Sequence, residues 1–163
     1  MSLMEWGALG EILGGVAIII SLIYVGIQIR QNTMAQRLDT SHRISEDLAD
    51  VYLFPSGSEE MARIFIDGMT GEAQLEGPDH MRFYGYLHKF FRTMENAHYQ
   101  YRHGALEWPA YEGVTRQFQF IVSTTGGQRY WRERSHWYND EFSAFVDELI
   151  ATNDQASIKL GGK

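Results

Sequence analysis

The feature that most constrains this chain is an apolar stretch near its start, from Gly10 to Ile29. No charged residue lies between Glu11 and Arg30, and the only strongly polar side chains within it are those of Ser21 and Gln28. As a helix, these twenty residues would be about 30 Å long, which matches the hydrocarbon core of a bilayer. We therefore predict a transmembrane helix over residues 10–30, with the lipid bilayer as a partner. The alternative is a buried core helix, which would need a larger domain around it than the roughly 130 remaining residues can build.

The charges on the two sides of this stretch predict its orientation. Before it the charged side chains are Glu5 and Glu11, and after it come Arg30, Arg37 and Arg43. Because an excess of arginine marks the cytoplasmic side, we expect the N-terminus outside and the C-terminal part in the cytoplasm. A cleaved signal peptide would instead carry basic residues before the apolar run and a small-residue cleavage site after it. The order of charge is inverted here and no A-x-A site follows, so we expect the helix to remain as an anchor.

One face of the predicted helix is lined by a seam of small and polar residues. They recur every three or four positions: Gly10, Gly14, Ala17, Ser21, Tyr24 and Gln28. Small residues let two helix backbones approach closely, whereas the opposite face, with Ile12, Ile19 and Ile23, suits lipid tails. We predict that the seam packs against another transmembrane helix, from a second copy or from a partner membrane protein. The alternative is that the glycines reflect only the general frequency of glycine in membrane helices.

Composition narrows the classes of function. The 163 residues carry a formal net charge of −7, which disfavours nucleic acid and anionic lipid as bulk partners. The absence of cysteine excludes disulfides, thiolate metal sites and cysteine nucleophiles. A chain of this length supports one anchor and one small domain.

The remainder of the chain has the pattern of helices, and no segment has the alternation and turn chemistry of a β-hairpin. We predict an all-α protein in which one N-terminal transmembrane helix continues into a small cytoplasmic helical bundle. The expected segments are a short N-terminal segment, the membrane helix, a juxtamembrane helix, the helical domain and a flexible tail: residues 1–9, 10–30, 31–53, 54–152 and 153–163. Large apolar side chains should be buried around the longest soluble helix, notably Phe91, Met94, Trp131 and Phe142.

Local signals predict where the soluble helices begin and end. Phe54-Pro55 should stop the juxtamembrane helix, and Ser56 with Glu59 forms a capping-box pattern. Pro78 suits the start of the longest helix, with Met81 on its apolar line. Thr124-Thr125-Gly126-Gly127 should end another helix, and Asn139 should cap the last one.

Three phrases resemble a widespread, uncharacterised bacterial family of small single-pass membrane proteins. They are SLIYVGIQIRQNT, FFRTMENAHYQYRHG and GGQRYWRERSHWYNDEFSAFVDELI. The resemblance covers nearly the whole chain. It implies a bacterial origin, the membrane anchor and a helical cytoplasmic domain, and it carries over no catalytic residues.

The one pattern that suggests metal chemistry is Glu-x-x-His, which occurs as Glu95–His98 and as Glu133–His136. In di-iron and di-manganese bundles, two such motifs and two further glutamates project inward. The second motif lies on a polar helix side, so only Glu95 and His98 remain as metal candidates. We favour over a metal site a core His98 bonded locally to Glu95 or to a tyrosine.

Other polar groups suggest weaker sites. His80 and His88 lie with basic residues along the long helix, as on a solvated face. Arg129, Arg132 and Arg134 could bind phosphate behind Gly126-Gly127 or pair with carboxylates, and we favour pairing.

The sequence contains no catalytic or cofactor-binding motif of high specificity, so we predict neither a cofactor nor a catalytic residue. The favoured function is a membrane-anchored interaction or scaffold subunit in the bacterial inner membrane, associating through its transmembrane helix. The alternatives are a helical metal–carboxylate enzyme using Glu95 and His98, and a small oligomeric pore lined by Ser21, Tyr24 and Gln28.

Overall fold

The computed structural model describes the backbone of residues 3–161 and the side-chain surroundings of residues 6–7 and 11–152. Its elements are six α-helices and one 3₁₀ turn: α1 Leu3–Ser56, α2 Glu59–Thr70, α3 Gly77–Arg102, α4 Trp108–Ser123, α5 Thr125–Arg134, the 3₁₀ turn Ser135–Trp137 and α6 Asp140–Gly161. Residues 3–161 contain no strand, which confirms the all-α prediction. The predicted flexible tail, residues 153–163, lies outside the described side chains and stays a prediction.

The chain divides into two compact units, Met1–Asp39 and Thr40–Lys163. The first unit is helical over its described part and belongs to α1. An 18-residue stretch of α1 has a mean hydropathy of 2.4, and none of that stretch is buried. Among the described residues, α1 is the one helix long and apolar enough to cross a membrane, a test that a signal sequence also passes.

The core of the second unit is built around α3. Every helix from α1 to α6 contributes side chains that are at most 2% exposed, among them Ile44, Val51, Ile64, Leu87, Phe91, Phe118, Tyr130 and Phe142. The four predicted core residues are confirmed, because Phe91, Met94, Trp131 and Phe142 are all 3% exposed or less. Met81, which is predicted to lie on the apolar line of α3, is 71% exposed.

The end of α1 differs from the prediction. Pro55 lies inside the last turn of α1, and the Ser56 hydroxyl donates to the Tyr52 carbonyl at 2.8 Å. The cap of α2 is Ser58, whose side chain accepts from the Met61 backbone N–H at 3.2 Å. Ser56 is therefore not the cap of α2, because α1 still includes it and its hydroxyl faces back along that helix.

The start of α6 agrees with the prediction. The Asn139 side-chain oxygen accepts from the Phe142 backbone N–H at 2.8 Å, which satisfies one of the unpaired donors of the first turn.

Candidate functional site

From Gly14 to Gln28 the seam residues of α1 are exposed, and their polar side chains form hydrogen bonds within the helix. The Ser21 hydroxyl donates to the Ala17 carbonyl at 2.8 Å, and the Gln28 amide donates to the Tyr24 hydroxyl at 2.8 Å. A Cβ added to Gly14 would meet nothing within 4 Å. The surroundings of Gly10 lie outside the described residues. From Gly14 to Gln28 the seam is thus an uncovered surface on which Ser21, Tyr24 and Gln28 each have a hydrogen bond within the helix.

Glu95, the first metal candidate, holds the start of α6 in place. One of its oxygens lies 2.6 Å from the Arg92 guanidinium, and the other accepts from the backbone and side-chain N–H groups of Asn139, at 3.1 and 2.8 Å. One oxygen therefore connects α3 to the segment that leads into α6, and the other pairs with Arg92 within α3.

His98, the second candidate, is a core residue that is 9% exposed. Its Nδ1 lies 2.7 Å from the Tyr111 hydroxyl, and its ring stacks on Phe145 with centroids 4.5 Å apart. Burial lowers the pKa of His98, so the ring is neutral near pH 7. The structure thus gives Glu95 and His98 different partners. Among the described residues, no group of three or more His, Cys, Asp or Glu side chains is placed to hold a metal ion.

A groove of about 230 Å³ opens on the flank of α3, beside α5 and the 3₁₀ turn; we call it the α3–α5 groove. It is lined by aromatic, imidazole and apolar side chains and one guanidinium: His80, Met81, Tyr84, Gly85, His88, Tyr130, Arg134 and Trp137. Its outer rim is formed by two large exposed side chains, since Met81 is 71% and Trp137 47% exposed. Met81 is therefore exposed at the rim of this groove.

Gly85 leaves space in the groove. It lies in the interior of the 26-residue helix α3, and a Cβ there would meet nothing within 4 Å. Glycine in a helix interior costs about 0.5–1 kcal/mol relative to alanine. Nothing in the described packing requires this glycine, in contrast to Gly68, where a Cβ would come within 2.6 Å of the Phe83 ring.

The tyrosine side chains and His88 of the groove are neutral near pH 7. The Tyr130 hydroxyl lies 3.1 Å from His88 Nδ1 and 2.8 Å from the Tyr138 hydroxyl. Tyr84 donates to Glu133 at 2.8 Å. Burial, with a smaller contribution from Glu133, raises the pKa of Tyr84 to about 12, and burial lowers the pKa of His88. The walls therefore supply neutral donors and acceptors and no ionised tyrosine.

Arg134 provides the permanent charge of the groove lining. Its guanidinium carbon lies 4.8 Å from the Trp137 ring centroid and 5.7 Å from that of Tyr84. Cation–π contacts of this kind orient the guanidinium over the two rings. In the described part of the chain it has no carboxylate partner within 4.0 Å, and the same holds for Arg129 and Arg132. The favoured pairing of these arginines with carboxylates is therefore not found among the described residues.

Gly126 and Gly127 do not form the open turn that the phosphate alternative needs. Both lie in the first turn of α5, where the Thr124 hydroxyl accepts from the Gly127 N–H at 3.0 Å. A Cβ on Gly126 would collide with the Gly68 carbonyl of α2, and one on Gly127 with the Ile121 carbonyl of α4. These glycines allow close helix packing. The preceding helix ends at Ser123 with Thr124 as its cap, which agrees with the predicted end at residues 124–127, but the two glycines themselves belong to α5.

The sequence interpretation missed the α3–α5 groove. His80 and His88 were predicted to lie on a solvated face, but Tyr130 and Trp137, which face them, are far away in the sequence. The available signal was Gly85, an unexplained glycine inside an otherwise strong helical pattern.

No protein-family model, no curated protein and no solved structure matches this chain.

Proposed function

We propose that this protein is a membrane-anchored interaction subunit of the bacterial inner membrane. In this proposal α1 spans the bilayer with its N-terminus outside, and the helical domain lies in the cytoplasm. The observation that carries the proposal is the exposure of the apolar part of α1. Its large apolar side chains are 48–66% exposed: Ile12, Leu13, Val16, Ile18, Ile19, Ile20, Leu22, Ile23, Val25, Ile27 and Ile29.

The apolar side chains of α1 must be shielded from water. Burying one large apolar side chain gains about 1.5–3 kcal/mol, so eleven of them left in water would be a large penalty. The described part of the chain places nothing over them, and a bilayer covers them on every side. The helix also satisfies its own backbone groups, as hydrocarbon requires.

The seam then supports association within the membrane. Gly14, Ala17 and Ser21 leave a shallow depression along α1, and a fitted helix gains dispersion contacts there that fluid lipid chains do not match. We propose a second copy as the simplest partner, because the spacing from Gly10 to Tyr24 averages 3.5 residues, which lets identical helices cross at a shallow angle.

Gly14→Ile tests this proposal in the full chain, by a membrane self-association assay. The isoleucine fills the depression, so association should weaken by about 1 kcal/mol or more, roughly fivefold. Gly26→Ile is the matched control, since Gly26 lies on the opposite side of α1 and a Cβ there also meets nothing within 4 Å. It should leave association unchanged.

Equal association of the wild type and Gly14→Ile would contradict packing through the seam. A wild type that stays monomeric in membranes would exclude the second copy and leave another membrane protein as the partner. A particle mass corresponding to a ring of several copies would favour the pore alternative.

A further inference from the structure

We infer that the α3–α5 groove is a docking site for an acidic segment of a partner protein. An apolar side chain of that segment fills the groove above Gly85, and a neighbouring carboxylate binds the Arg134 guanidinium. This inference rests on the proposed function, because it names the chemistry of what the anchored domain would bind.

The size of the groove favours one large side chain. Its volume of about 230 Å³ lies below the range of about 300–1,000 Å³ typical of small-molecule pockets. Its rim consists of exposed Met81 and Trp137, with Tyr84 and Arg134 behind them. Methionine, aromatic residues and arginine are the residue types enriched in protein interfaces, and tryptophan, tyrosine and arginine dominate their binding energy.

The charge of the groove favours an acidic partner. Arg134 is held over two rings with no carboxylate partner within 4.0 Å in the described chain. Arg129 lines an adjoining hollow that shares His80 and Tyr84 with the groove. The nearby carboxylate, Glu133, already accepts a hydrogen bond from Tyr84. In a chain of net charge −7, this is a locally basic site.

A partner protein fits these features better than an anionic lipid surface. The net charge of −7 disfavours binding of the domain to such a surface even where α1 holds it near a membrane, and a layer of headgroups does not place an apolar side chain beside a single guanidinium. A protein segment can place an apolar side chain in the groove and a neighbouring carboxylate on Arg134. The contact of that carboxylate with arginine is a charge-assisted hydrogen bond.

The probe for this inference is the peptide GDEFEDG, acetylated and amidated at its ends. The full chain, labelled with 5-fluorotryptophan and held in zwitterionic detergent micelles, is titrated with the peptide and followed by ¹⁹F NMR. Trp137→Phe assigns the groove resonance. Trp108, which is 54% exposed and does not line the groove, is the internal reference. The Trp137 resonance should shift saturably, and that of Trp108 should not.

Two changes in the peptide separate its two contacts. Replacing its acidic residues by lysine removes the partner of Arg134, and replacing its phenylalanine by alanine removes the side chain that fills the groove. Each change should weaken binding about tenfold or more.

Two variants of the protein test the site, each with a matched control. Arg134→Gln should weaken binding about tenfold, whereas Arg132→Gln, an exposed arginine of the same helix, should not. Gly85→Leu should abolish binding by filling the groove. Gly113→Leu, at an exposed glycine in α4 with the same free space, should leave binding intact.

Several results would overturn the inference. The first is a Trp137 resonance that does not shift at peptide concentrations up to millimolar. The second is unchanged peptide binding by Arg134→Gln or Gly85→Leu. The third is a Trp137 shift that anionic lipid causes and the peptide does not. A Trp137 shift that depends only on protein concentration would assign the groove to a second copy instead. Gly14→Ile should bind the peptide like the wild type. Loss of association through the seam and loss of peptide binding in the groove are therefore separate results.

Discussion

His98 is a titratable group inside the core, 9% exposed and bonded to Tyr111 at 2.7 Å. Burial lowers its pKa; Glu141 opposes this shift and Arg102 adds to it. Because the folded pKa is below the unfolded value of about 6.5, the unfolded state binds more protons as the pH falls. The contribution of His98 is therefore complete above about pH 6.5 and decreases below it. We expect the free energy of unfolding of the full chain in detergent to fall as the pH is lowered below about 6.5.

His98→Gln is the comparison for this residue, because the glutamine amide is polar but does not titrate. The variant should be less stable at pH 7 and should lose less stability than the wild type as the pH is lowered. Parallel pH profiles for the two proteins would show that His98 does not cause the dependence.

At the scale of one element, the start of α2 depends on Ser58. Its side chain accepts from the Met61 N–H, whereas the Ser56 hydroxyl bonds back to Tyr52 in α1. We expect Ser58→Ala to lower the free energy of unfolding by about 1 kcal/mol and the melting midpoint by about 2–4 °C. Ser56→Ala should change either quantity much less. Equal effects in thermal unfolding of the two variants would show that the cap bond at Ser58 is not what stabilises α2.

At the scale of the whole molecule, the charges beside the apolar stretch predict the topology. Arg30, Arg37 and Arg43 follow it, whereas Glu5 and Glu11 precede it or lie at its start. A reporter that is active only after export, fused behind the last residue, should give low activity, and a cytoplasmic fluorescent reporter should give a strong signal. Moving the positive charge to the other side, by Glu5→Lys and Glu11→Lys with Arg30→Gln, should raise the export signal. Strong export activity of the unchanged chain would reverse the proposed orientation.

The features that the sequence determined by itself depend on residues that lie close together in the chain. The all-α class follows from apolar spacing and the absence of hairpin signals, and the candidate span follows from the length of the run between Glu11 and Arg30. The burial of Phe91 and Phe142 and the Asn139 cap could also be predicted, because periodicity and capping depend on residues within a few positions of one another. The resemblance to a bacterial membrane family stays a prediction.

The tertiary structure decided what depends on residues far apart in the chain. Gly126 permits close packing against Gly68 across more than fifty residues of sequence. Likewise, the groove exists because α5 and the 3₁₀ turn carry Arg134 and Trp137 to the flank of α3. Met81 has an apolar side chain at helical spacing, yet it is exposed at the rim of that groove. Helical periodicity identifies which residues share a face but not what covers the face, because the covering depends on how separate helices pack.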